Sequence, residues 1–147
     1  MSVSKETIIA APPERVWAAL VTFADYAKWH PMVRIDGEPG VNAPLRYSLR
    51  MDYRNPKFMT VDAQIVIFEP QCALAFRFGL GMLLSIDEQF SVKMLGKAAT
   101  RLVHRYDISG MAAWLATSRA NKNMTTMTET VGSALKQYLE KAVRRKG

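Results

Sequence analysis

Residues 84–110, LSIDEQFSVKMLGKAATRLVHRYDISG, decide the fold. Leu84, Ile86, Glu88, Phe90, Val92 and Met94 share one parity, and Thr100, Leu102, His104, Tyr106 and Ile108 share another. Apolar residues recurring at every second position mark a strand with one buried face. Gly96-Lys97-Ala98 lies between the two runs, so they read as an antiparallel hairpin. A three-residue loop sets Leu95 opposite Ala99, Phe90 opposite His104 and Glu88 opposite Tyr106. A two-residue loop would lay the apolar face of one strand beside the charged face of the other, because a one-residue slip reverses every side chain. The three-residue loop is therefore expected.

Upstream, the same period continues. Segment 45–53 puts Leu45, Tyr47, Leu49, Met51 and Tyr53 on one face, with Arg46, Ser48, Arg50 and Asp52 opposite. Segment 59–67 sets Met59, Val61, Ala63, Ile65 and Ile67 against Thr60, Asp62 and Gln64, and segment 74–78 sets Leu74, Phe76 and Phe78 against Ala75 and Arg77. Arg54-Asn55-Pro56 and Glu69-Pro70 supply turns. At the start of the chain, 3–10 reads as a strand that Pro12-Pro13 end, and proline is accepted in the first turn of a helix. A short helix carrying Val16, Trp17 and Leu20 follows, then a helical turn over Phe23 to Trp29 that Pro31 stops. Downstream, Gly110 breaks the alternation and 112–143 reads as one long helix. Met124, Met127, Val131, Leu135, Tyr138 and Ala142 form its apolar stripe.

Strands with one apolar face need a cover, and the long helix has the matching stripe. The expected fold class is α+β: a helix-grip fold, with a curved antiparallel sheet of six to seven strands wrapped around the C-terminal helix and two short helices after the first strand. No repeat or linker divides the chain, so 1–147 reads as a single domain. The space between sheet and helix is the expected ligand site.

Composition narrows the function classes. Hydrophobic residues make up 49% and charged residues 22% of 147, as in an ordinary globular domain. Cys72 is the only cysteine, so a reducing, cytoplasmic setting is expected, and Met1 to Arg15 has no apolar run of signal-peptide length. The formal net charge of +7 leaves anionic membrane surfaces, nucleic acid and acidic ligands open as partners. Arg46, Arg50 and Arg54 form an outward stripe, but Tyr47 and Tyr53 point to the other face. Nucleic-acid-binding sheets stack bases on aromatics that share a face with the cations, so nucleic acid is disfavoured. A transient anionic membrane contact asks only for charge. The two histidines are far apart in sequence, so no metal is expected, and no phosphate-cradling loop or nucleophile elbow is present. No cofactor is expected, and the oligomeric state is left open.

The stretch IIAAPPERVWAALVTFADYAKWHP, residues 8–31, resembles the START-like (SRPBCC, birch-pollen-allergen-like) superfamily, in its polyketide cyclase/dehydrase and lipid-transport branch. Ala11-Pro12, Val16-Trp17 and Trp29-His30-Pro31 occur in that family's order, as do the Gly96–Thr100 turn and Gly110 before the long helix. The turn is slightly longer than the family's usual Gly-Thr-x-Leu. The resemblance implies lipid and sterol carriers, hormone receptors or aromatase/cyclases as relatives, and brings no universal catalytic set.

The candidate catalytic residues are Glu88, His104 and Tyr106. Glu88 sits in an apolar row, where an unpaired carboxylate is costly. It is either a pocket acid with a raised pKa, able to move protons, or a residue turned to water by a bulge or the pocket mouth. His104 lies within reach across the hairpin, as a general base beside that carboxylate or as a hydrogen-bonded core histidine. Tyr106, Tyr47 and Tyr53 offer phenols to a ligand carbonyl, or are core aromatics. Met51, Met59, Met94, Met124 and Met127 fall on inward faces and suit an adaptable pocket or plain core filling. The expected ligand-binding set is Tyr47, Met51, Tyr53, Phe76, Phe90, Asn121, Met124 and Met127. Trp17 and Trp29 are expected to pack the short helices, and His30 to occupy an exposed turn. The leading expectation is a carrier or sensor of a hydrophobic ligand (lipid, polyketide or aromatic). A cofactor-independent cyclase or dehydratase using the same pocket is the alternative, and a surface-based interaction domain is the third.

Overall fold

A computed structural model gives the structure of the chain. It describes residues 2–50, 52, 54–79, 83–113 and 118–146, without the side chains of 119, 120 and 142–146. Met51 and Tyr53 therefore lie outside the described residues.

The strands are β1 (Ser2–Ile9), β2 (Val33–Asp36), β3 (Pro44–Leu49), β4 (Met59–Glu69), β5 (Ala73–Gly79), β6 (Ser85–Gly96) and β7 (Ala99–Ser109). They form one sheet in the order β1-β7-β6-β5-β4-β3-β2, every pair antiparallel. Helix α1 (Pro13–Val21) and a 3-10 helix (Phe23–Lys28) join β1 to β2, which are consecutive in the chain but occupy opposite edges. Helix α2 (Ser118–Lys146) packs mainly against β1 and more lightly against β7. This is the curved sheet and long C-terminal helix of a helix-grip fold.

The local causes are plain. Pro13 occupies the first turn of α1, where its missing N–H is not needed. Val16, Trp17 and Leu20 turn one face of that helix into the core, and the Trp17 ring meets Phe68 edge-on at 5.6 Å. On α2 the buried residues Met127, Val131, Leu135 and Leu139 step by four. Gly132 lets α2 approach β1: a Cβ there would lie 2.4 Å from the Thr7 hydroxyl oxygen. The Lys136 ammonium donates to the carbonyl of Ile8 at 2.7 Å, and Ala10 N–H donates to the Glu140 carboxylate at 3.2 Å. The helix thus supplies hydrogen-bond partners along the chain that leaves the edge strand.

The β6–β7 register has Phe90 opposite His104 and Glu88 opposite Tyr106, as the parity argument requires. The extra residue is placed differently. Lys97-Ala98 form a two-residue turn, Gly96 pairs with Ala99, and the register shifts between Met94 and Gly96. Leu95 is therefore a β-bulge, which adds the same single residue to one strand that a longer loop would add to the connection.

Three further expectations change. Gly110 adopts φ +108, a conformation open to glycine, and Ala113 N–H closes a turn onto its carbonyl, so 110–113 is a turn and α2 is described only from Ser118. Met59 and Met94, inward by parity, are exposed; Met59 opens its strand and Met94 adjoins the bulge, where parity no longer guarantees cover. His30 is buried rather than exposed. Its Nδ1 accepts the Met32 N–H at 3.2 Å and its ring stacks on Tyr26, so the Pro31 turn folds it inward.

Candidate functional site

Glu88 is the centre of the site. It is 1% exposed, so its carboxylate depends on nearby protein donors. Three are in place. The Tyr47 hydroxyl donates to Oε1 at 2.6 Å, the Tyr106 hydroxyl donates to Oε2 at 2.7 Å, and His104 Nε2 lies 2.7 Å from the same Oε2.

The backbone explains how the four meet. Glu88 and Tyr106 are direct partners across β6–β7, and His104 is one inward position further along β7. Tyr47 is on β3, three strands from β6. In a flat sheet those strands would be about 14 Å apart, beyond a short contact at the sheet surface. Curvature turns β3 toward β6, so the Tyr47 hydroxyl meets the carboxylate over the concave face. The rings are held by further packing: Phe90 stacks on His104 at 4.2 Å and 8°, and Phe78 stacks on Tyr47 at 4.7 Å.

The proton positions follow. Burial pushes the Glu88 carboxyl up, but the His104 hydrogen bond and charge and the two phenol donors more than offset it, and its pKa lies below the ordinary value. Burial first, and the Glu88 charge second, push both Tyr47 and Tyr106 well above 10. The phenols keep their hydrogens and the carboxylate accepts them. An ionised carboxylate only accepts, so His104 carries a hydrogen on Nε2. His104 Nδ1 is buried with no partner among the described residues.

A cavity of about 190 Å³ lies against this network. Tyr47, Leu49, Phe78, Ile86 and Tyr106 form its sheet wall, and Asn123, Met124 and Met127 of α2 close it. The wall is thus apolar apart from two phenols and one amide. Two larger hollows, of about 300 and 320 Å³, contain none of the network residues.

Of the residues singled out from sequence, Glu88, His104, Tyr106 and Tyr47 come together, and Tyr47, Tyr106, Met124 and Met127 line the cavity. Phe76 and Phe90 are buried in the core and are not in its lining, and Asn121 is exposed. Leu49, Phe78, Ile86 and Asn123 line it without having been singled out. The signal for the first three was their inward parity, shared with Tyr47, Phe76 and Glu88. Asn123 had none, because it precedes the Met124 stripe by one residue.

One antiparallel sheet of seven strands covered by a long C-terminal helix defines a helix-grip domain. The model of the polyketide cyclase / dehydrase and lipid transport family matches residues 1–145, and the chain belongs to that family. Among solved structures, a START superfamily protein from Mycobacterium smegmatis is similar at a TM-score of 0.78 and 18% identity, covering 96% of this chain and 98% of that one. The Zhui aromatase/cyclase from Streptomyces sp. R1128 superposes at 0.65 with 16% identity over 93% and 94% of the two chains. Ara h 8.0201 does so at 0.72 with 11% identity over 96% and 98%. These likenesses establish the fold. The sequence has no match among curated proteins. No described helix is long and apolar enough to cross a membrane.

Proposed function

We propose that this protein binds a small, mostly apolar molecule between its sheet and α2, as a carrier or sensor. The observation that carries this reading is the apolar cavity of about 190 Å³ walled by sheet and helix together. Its size bears on the ligand class. An apolar cavity of about 150 Å³ holds benzene, whereas drug-sized ligands occupy roughly 300–1,000 Å³. In this conformation the space suits a single aromatic ring or a short aliphatic chain, rather than a whole lipid or a multicyclic polyketide.

The cyclase or dehydratase alternative would use Glu88 and His104 for proton transfer, with Tyr106 at the cavity wall. The family and the aromatase/cyclase neighbour keep it in view. Two features weigh against it. Glu88 is held below the ordinary carboxylate range, which makes it a weak base and a poor proton donor near neutral pH. It also reaches the cavity only through its phenol partners: neither Glu88 nor His104 belongs to the lining.

Native mass spectrometry of the purified protein, followed by organic extraction, tests the binding reading. A retained apolar molecule, or saturable uptake of monocyclic aromatics in ligand-observed NMR, supports it. A protein that is empty and takes up no such probe at millimolar concentration would sink it.

A further inference from the structure

The described arginines of the sheet and its loops fall into two groups. Arg46, Arg54, Arg77, Arg101 and Arg105 pair with Asp62, Asp52, Asp87, Glu6 and Asp107 in turn, at 2.8–3.3 Å. Arg34 on β2 and Arg50 just after β3 have no such pairing among the described residues, which include every Asp and Glu of the chain. Their guanidinium groups lie instead 5.2 and 4.8 Å from the centroid of the Phe58 ring, so two like charges share one ring. We infer that Arg34 and Arg50 form an anion site for a phosphate group, separate from the cavity, whose lining contains neither residue. The inference goes beyond the ligand-binding reading and does not depend on it.

Three observations carry it. First, both side chains are half-buried and fixed by backbone carbonyls. Arg34 Nη1 donates to His30 and to Val33, and Arg50 donates from Nε to Pro31 at 2.8 Å and from Nη1 to Asn55 at 3.1 Å. Those bonds leave Nε–H and both Nη2 hydrogens of Arg34, and both Nη2 hydrogens of Arg50, without a partner among the described residues. Second, the charge is not neutralised locally. Burial, and then the Arg50 charge, lower the pKa of Arg34, whereas hydrogen bonds to Asp87 and Asp107 raise those of Arg77 and Arg105. Asp52 feels the Arg50 charge, but its carboxylate is held by Arg54, through the backbone N–H at 2.9 Å and Nε at 3.3 Å. Third, capping the carbonyls near the open edge of β2 uses only part of each guanidinium and gives no reason to gather two cations. A phosphate dianion balances both charges, and its oxygens accept from both forks. A carboxylate has one charge and two oxygens, enough for one fork.

Inorganic phosphate, titrated at pH 7.5 against chloride at constant ionic strength and followed by NMR of the arginine side chains, is the first probe. It should shift Arg34 and Arg50 saturably and leave the carboxylate-paired Arg77 and Arg105 unmoved. The double variant Arg34→Gln/Arg50→Gln should bind at least about 10-fold more weakly, and Arg34→Lys/Arg50→Lys, which keeps the charge and loses the forks, should recover only part. Should the variants fail to fold, the contrast between the two groups of arginines in the unaltered protein still decides the matter. Cosedimentation with phosphatidylcholine vesicles, with and without phosphatidic acid, tells the source of the phosphate. Saturation by inorganic phosphate without vesicle binding upholds the site for a soluble phosphate compound. Vesicle binding that needs phosphatidic acid and is lost in the double variant upholds it for a lipid headgroup. If neither probe moves Arg34 and Arg50 more than Arg77 and Arg105, or if the double variant binds both probes undiminished, the inference is overturned and the cavity reading stands untouched.

Discussion

Replacing Tyr47 by Phe deletes one hydroxyl and keeps the ring that stacks on Phe78 at 4.7 Å. The change therefore isolates a single hydrogen bond, the 2.6 Å contact to Glu88 Oε1. Hydrogen bonds to a charged group contribute about 1.5–3 kcal/mol, and a buried charge left short of a donor lies toward the upper part of that range. We expect Tyr47→Phe to cost about 2.5 kcal/mol at pH 7, which in urea moves the unfolding midpoint down by roughly 1 M. The pH dependence supplies a sharper signature. In the unaltered protein the folded pKa of Glu88 is depressed, so its contribution is present above the unfolded value and is lost as pH falls through the lower folded one. Without Tyr47 the upward push of burial is less opposed and the folded pKa rises. The variant should then be penalised most at pH 7, and the gap should narrow as pH falls into the range where Glu88 accepts a proton. Urea titrations of both proteins at pH 7, 6, 5 and 4 measure this directly. A variant as stable as the parent at pH 7, or a gap that stays constant with pH, would refute the view that three donors hold an ionised carboxylate.

Other consequences can be checked separately. His30 is buried, and burial chiefly, against a smaller upward pull from Glu88, lowers its pKa to about 3. It should stay neutral in the folded protein, so stability present above about 6.5 declines as pH falls toward about 3, and its ring resonances in NMR should not shift between pH 8 and 4.5. Gly132→Ala gains about 1 kcal/mol of helix propensity but places a Cβ against the Thr7 hydroxyl, at a cost of about 1–3 kcal/mol, so a net loss of up to about 2 kcal/mol in thermal or urea unfolding is expected. Adding Thr7→Ala should recover much of it, and a stabilised single variant would show that α2 and β1 are not in close contact there. Met124 is half-buried and lines the cavity, so Met124→Trp should fill it, weakening uptake of monocyclic probes more than 10-fold with little loss of stability. Undiminished uptake would place the ligand elsewhere.

The hairpin 84–110 shows why part of the site was legible in the sequence and part was not. Register is arithmetic: once parity sets Glu88 opposite Tyr106, His104 follows on the same face, and a charged residue in an apolar row demands partners there. Those partners were within reach of the sequence because they lie on adjacent strands. The loop length was misplaced, since a bulge at Leu95 and a longer turn give the same register and parity cannot tell them apart. Tyr47 belongs to a different kind of information. Its inward face was evident, but its bond to Glu88 depends on how sharply the sheet curls across three strands, and no pairwise pattern encodes that. The same limit acts on α2. The stripe through Met124 and Met127 was visible, yet extending it one turn gave Asn121, which is exposed, while Asn123 meets the cavity. The protonation of Glu88 was left open by the sequence for a related reason. A buried acid read alone is expected to have a raised pKa; the curl that delivers Tyr47, together with Tyr106 and His104, reverses the sign. Sheet curvature therefore does more than shape the cavity. By setting how many donors reach Glu88, it decides whether a buried carboxylate can stay ionised beside the cavity.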